Sequence, residues 1–136
     1  MIQIFNIYEF RAALVYVALL ILGNVALAAG VIRQRQRSKV SIGDGDDPLL
    51  RQWIRAHGNY CENVPFGIVA LVLLPLVGAS AWIVHIVGLC LVVGRLAHAQ
   101  GLTTTAGEST GRLVGAALTW LALIVGALTL LWCVLT

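Results

Sequence analysis

At 136 residues, 60% hydrophobic and only 11% charged, with a mean hydropathy of +0.92, the chain is too apolar for a water-soluble domain. This excludes a soluble enzyme and a nucleic-acid binder, so the net charge of +3 must be explained within a membrane protein. Cys61, Cys90 and Cys133 fall singly on different segments, offer neither metal-ligand spacing nor a disulfide framework, and read as small apolar side chains.

Four apolar segments, residues 12–32, 62–79, 81–99 and 112–135, predict an all-α bundle of four spans in a single transmembrane domain. The second and third are short, but Pro65 with the polar face before it, and Arg95 with His98, can sit at headgroup depth. Met1 to Phe10 lacks a basic leader region, so the N-terminus is expected to stay attached. Arg33, Arg35, Arg37, Lys39, Arg51 and Arg55 lie between spans one and two, and Arg112 opens span four. Basic residues face the cytoplasm, so loops 33–55 and 99–111 are expected there, with both termini opposite. The net +3 reflects this topology.

Span one carries Asn24, which in hydrocarbon requires a hydrogen-bond partner on another helix. Its basic tail, Arg33 to Lys39, suits anionic lipid headgroups, with Arg33 the candidate to turn toward the bundle. Ser41 to Asp47 reads S-I-G-D-G-D-D but is no EF-hand, because the twelfth position counted from Asp44 is Arg55 rather than glutamate. Gly43 and Gly45 are expected to turn the chain, Asp47 to cap a helix, and Pro48 to occupy its first turn.

Polar groups concentrate in Arg51 to Pro65, R-Q-W-I-R-A-H-G-N-Y-C-E-N-V-P. At about 100° per residue, Arg51, Arg55, Asn59 and Glu62 share one helical sector, while His57 points elsewhere. An ion pair between Arg55 and Glu62 is one account; a functional site is the other, because intramembrane ionisable groups are expensive. Span three adds Arg95 and His98 at the same depth, and His85 is expected to be a hydrogen-bonded bundle histidine. Residues 100–111 read as a small-residue loop, with Ser109 or Thr110 capping span four. Arg112 then occupies a first helical turn, where the helix dipole does not favour a cation, which points to a functional role. Gly115 and Gly126 suit close helix packing.

This cationic layer with one acid suits a small ligand bearing several carboxylates and one amine: guanidinium forks take the carboxylates and Glu62 the ammonium. Glutathione fits. Its thiol, with an ordinary pKa of about 8.5, would ionise more readily beside an arginine, while the bilayer supplies a lipophilic electrophile.

Arg55 to Pro65, R-A-H-G-N-Y-C-E-N-V-P, resembles the R-A-H-x-N-x-x-E signature of the membrane-associated proteins in eicosanoid and glutathione metabolism (MAPEG). Gly94 to Gly101 is similar to that family's third-helix R-x-x-H/Y stretch. The resemblance implies a homotrimer of four-helix subunits that binds glutathione between neighbours near the cytoplasmic face. It implies Arg33, Arg55, Asn59, Glu62, Arg95 and His98 as glutathione-binding residues, and Arg112 as the catalytic group that activates the thiol. Gly58 stands where some members carry a second arginine, and Leu102 where eicosanoid-forming members carry a tyrosine. A bacterial-type member is therefore implied, rather than a leukotriene or prostaglandin synthase.

The resulting expectation is a glutathione-dependent transferase or peroxidase acting on lipophilic electrophiles or hydroperoxides. Its rival is a non-catalytic scaffold, or a binder of anionic lipid or metabolite, in which the same residues form a structural network. A transporter fits less well, since the spans show no paired broken helices or inverted repeat.

Overall fold

The computed structural model describes residues 7–136, and the reading of the extreme N-terminus lies partly outside them. Four helices follow in order: α1 (Ile7–Ser38), α2 (Pro48–Leu76), α3 (Ala81–Thr104) and α4 (Thr110–Leu135). Each is long and apolar enough to cross a membrane. In their most apolar stretches, α1 and α4 are 17% buried within the chain, against 39% for α2 and α3. The middle helices therefore form the core, and the outer two present broad apolar faces.

α1 meets the bundle along Ala13, Leu20, Leu27 and Gln34, which are its buried residues and recur every seven positions. Seven residues are nearly two helical turns, so these four stack along one stripe. α2 starts where expected: the Asp47 carboxylate accepts from the Leu49 and Leu50 amides, and Pro48 occupies the first turn. Gly43 and Gly45 both adopt positive φ, the backbone conformation the preceding turn needs. α2 then runs unbroken through Pro65 and Pro75.

Glycines set the spacing of α3 and α4. A Cβ on Gly115 would lie 2.5 Å from both the Gly94 carbonyl oxygen and the His98 nitrogen. One on Gly111 would lie 2.9 Å from the Ala97 carbonyl oxygen. The two backbones touch directly, as small residues permit in membrane helices. This contact carries α3 further than expected. Residues 100–104 continue the helix instead of opening the loop, with Gly101 tucked against Ser109 and Arg112, and the Thr103 and Thr104 hydroxyls bonded back to the Ala99 and Gln100 carbonyls. The connection to α4 shrinks to residues 105–109.

Candidate functional site

Arg95 is the largest fully buried side chain, 1% exposed, in the middle of the bundle. Its Nη2 donates to Asn59 Oδ1 on α2 at 2.9 Å, its Nη1 reaches Thr119 Oγ1 on α4 at 3.5 Å, and its guanidinium carbon lies 5.6 Å from the Tyr60 ring centroid. His98, one turn on, places Nδ1 3.5 Å from Arg95 Nη2. One cation thereby ties three helices together, with an aromatic face sharing its charge. Arg95 Nε has no acceptor among the described residues.

The α3–α4 contact decides where Arg112 stands. Ser109 caps α4 by accepting from the Arg112 amide, and the Arg112 side chain donates from Nη1 to the Gly107 carbonyl at 2.6 Å. Because Gly101 and Gly115 carry no side chain, Arg112 sits beside His98. A cavity of about 330 Å³ opens there, lined by Arg51, Gln52, Arg55 and Asn59 from α2, His98 and Leu102 from α3, the connection at Thr105 and Ala106, and Arg112. A second cavity, about 630 Å³, shares His98 and Arg112 and extends along Glu108, Ser109, Thr110 and Leu113.

The structure thus gathers Arg55, Asn59, His98 and Arg112 around one cavity, with Arg95 directly behind Asn59. Arg33 and Glu62 are exposed and do not line it. Arg33 lies one position, about 100°, from the buried Gln34. Arg55 and Glu62 form no ion pair among the described residues. Arg51, placed by its spacing in the same helical sector as Arg55 and Asn59, does line the cavity, and its Nε bonds to Asp44 Oδ2 at 2.5 Å while its Nη2 lies 3.5 Å from Asp46 Oδ1. That guanidinium holds the Asp44 carboxyl below its ordinary range, chiefly through the direct hydrogen bond. Gln52 and Thr105 escaped sequence reasoning, having no charge to draw attention. The one available signal was Gln52's place one residue along from Arg51.

Away from this cavity, His85 behaves as expected and bonds Tyr16 through Nδ1 at 2.8 Å. Asn24 finds its helix partner in His57, with Oδ1 3.2 Å from Nε2. Cys61 departs from the apolar reading: its sulfur lies 3.3 Å from Asn24 Oδ1 and 3.4 Å from His57 Nε2.

Fold and site together define an integral membrane four-helix protein with a cationic pocket at one end of the bundle. The MAPEG family model matches residues 13–132, and the chain belongs to that family as a bacterial-type member. It is similar to the inner membrane protein YecN of Escherichia coli K12, 38% identical over 102 residues, covering 75% of this chain and 76% of that protein. The corresponding YecN of Escherichia coli O6:H1 matches to the same extent. The chain is an integral inner-membrane protein.

Proposed function

We propose that the protein is a membrane-bound glutathione-dependent transferase or peroxidase acting on lipophilic electrophiles or hydroperoxides. The observation that carries this reading is the cavity where Arg51, Arg55 and Arg112 converge with Asn59 and His98. Three guanidinium groups around about 330 Å³ suit a flexible ligand with two carboxylates, since each fork offers paired donors. Arg112, shared by both cavities, is placed to stabilise a thiolate in one while an electrophile approaches through the other. Arg55, Asn59 and His98 orient the tripeptide, and Arg95 holds Asn59 in place.

Arg33 and Glu62 enter this reading through a homotrimer. Both are exposed on a subunit whose outer helices are largely uncovered, so a neighbouring copy could bring them to the ligand. The loops at residues 39–47 and 105–109 lie at the pocket end of the bundle. The concentration of arginines there supports a cytoplasmic location for that end.

A test uses purified protein in detergent with glutathione and an aromatic electrophile. Saturable heat of glutathione binding and accelerated conjugation are expected. Arg112→Ala should lower the rate by about 100-fold, the scale on which a single electrostatic stabiliser acts, without changing assembly. An unchanged rate removes Arg112 from the mechanism. Absence of binding heat favours the second reading, a structural network or anionic-metabolite binder. The hydrogen bond from Arg95 Nη2 to Asn59 Oδ1 speaks for that reading, since it forms without a ligand.

A further inference from the structure

Two side chains, His98 and Arg112, line both cavities at the pocket end of the bundle. The other charged groups bordering those cavities, Arg51 and Arg55 from α2 and Glu108 from the connection to α4, each line one. His98 is 8% exposed, and what stands behind its ring decides where its proton lies. Its Nδ1 is 3.5 Å from Nη2 of Arg95, a guanidinium that is itself 1% exposed. A guanidinium has five N–H donors and no acceptor, so the Nδ1 facing it must present a lone pair. A proton on Nδ1 would set two donors head to head at 3.5 Å with little water to screen them. Asn59 and Thr119 hold the same guanidinium from α2 and α4, which fixes it in that position. The ring proton of His98 therefore sits on Nε2. No described residue takes that N–H, and Arg95 Nε is the one fully enclosed polar side-chain atom without a partner among them, so His98 Nε2 reaches open space.

We infer that His98 is a second thiolate-stabilising group in the proposed reaction, a neutral N–H donor beside Arg112, and that Arg95 is the positioning residue that sets its tautomer. This rests on the reading of the cavity as a glutathione site. In that reading the sulfur belongs where the two cavities meet, since the tripeptide fills one and the electrophile enters through the other. Both side chains at this junction are donors with no lone pair to spare: the Arg112 guanidinium has none, and the one on the His98 imidazole is turned to Arg95. Neither can take the thiol proton, which passes to water as the S–H bond breaks, leaving its electron pair on sulfur. The Nε2–H of His98 and the guanidinium of Arg112 then both direct hydrogens at the thiolate. His98 thus serves as a fixed donor and is excluded from the base role that histidines often fill. Arg95, which lines neither cavity, acts on the reaction through it.

The first test needs no ligand: nitrogen NMR of purified protein in micelles, isotope-labelled at its three histidines. The His98 signal, identified by its loss in His98→Gln, is expected to have the Nε2–H pattern and to shift toward a mixture of tautomers in Arg95→Met. An Nδ1–H or doubly protonated ring in the parent would overturn the tautomer assignment, and an unchanged signal in Arg95→Met would remove Arg95 from this role. The second test follows the thiolate of bound glutathione by its ultraviolet absorbance as pH is raised. The midpoint of ionisation should rise by about one unit in His98→Leu, the scale of one lost charge-assisted hydrogen bond, and stay near the parent's in His98→Gln, whose amide keeps an N–H donor. An unchanged midpoint in His98→Leu, or an equal rise in both variants, would overturn the role of His98 while leaving the glutathione reading in place. Absence of glutathione binding to the parent would overturn both.

Discussion

The α3–α4 and α1–α2 seams are built on different principles. Between α3 and α4, backbone meets backbone: Gly94, Gly101, Gly111 and Gly115 remove the side chains that would keep the helices apart. Between α1 and α2, side chain meets backbone. The Tyr60 hydroxyl donates to the Leu20 carbonyl at 2.8 Å across Gly23, and Trp53 packs on Gly30. The first seam has no adjustable part and fixes Arg95, His98 and Arg112. The second can yield, and it contains a groove and the polar contacts of Asn24, His57 and Cys61 instead of a closed contact. Rigidity is thus concentrated where charges must be held, consistent with the need to lock a binding constellation on rigid elements.

The largest expected effect comes from adding a side chain to each seam. Gly115→Val drives carbon into the Gly94 and His98 backbones and should cost on the order of 3 kcal/mol or prevent folding. Gly23→Ala meets only the far end of Tyr60, and the helix-propensity gain of about 1 kcal/mol offsets the displaced hydroxyl. Thermal unfolding in detergent should separate the two variants clearly. Equal losses would mean that the seams do not differ in tolerance.

A smaller effect is expected at the charge that the rigid seam encloses. Asn59→Leu removes the 2.9 Å acceptor of a guanidinium that is 1% exposed, leaving a buried charge short of a partner, and should cost about 2 kcal/mol. Arg95→Met removes the charge itself and should cost less, because an apolar chain of similar length refills the space. In the double variant the two losses should fall well short of adding, which a double-mutant cycle measures. Simple additivity would show that the pair contributes nothing to the bundle.

How much of this was legible in the sequence varies by residue. The helices followed from hydropathy, and the start of α2 from Asp47-Pro48, because both are local signals. The convergence of Arg55, Asn59, Arg95, His98 and Arg112 was readable from helical spacing and depth. Arg33 shows the limit. Its inward direction depended on which stripe of α1 packs, and the seven-residue recurrence ending at Gln34 sets that stripe. The extension of α3 to Thr104 was not legible, since Gly101 reads locally as a breaker and is helical only because Ser109 and Arg112 pack against it. Cys61 was misread for a similar reason: its partners come from another helix, Asn24, and from His57 one turn earlier on the face turned away from the cationic sector.

The smallest expected effect lies outside both seams, in the loop that joins α1 to α2. Asp47 accepts a hydrogen bond from Ser38 at the end of α1 and from the first amides of α2, and these donors hold its carboxyl below the ordinary 3.8, Ser38 most strongly. A depressed folded-state pKa means the stabilisation is fully present above the unfolded value and is lost as pH falls through the folded one. Asp47→Ala should therefore lower the unfolding temperature by about 2 to 4 °C near neutral pH, the scale of a lost helix cap. The gap between variant and parent should shrink only below about pH 4, as the parent's own carboxylate protonates. A gap that persisted at lower pH would assign the effect to packing of the side chain rather than to its charge. Because α1 ends at Ser38 and α2 begins at Pro48, this one carboxylate joins the two helices whose seam is the more yielding.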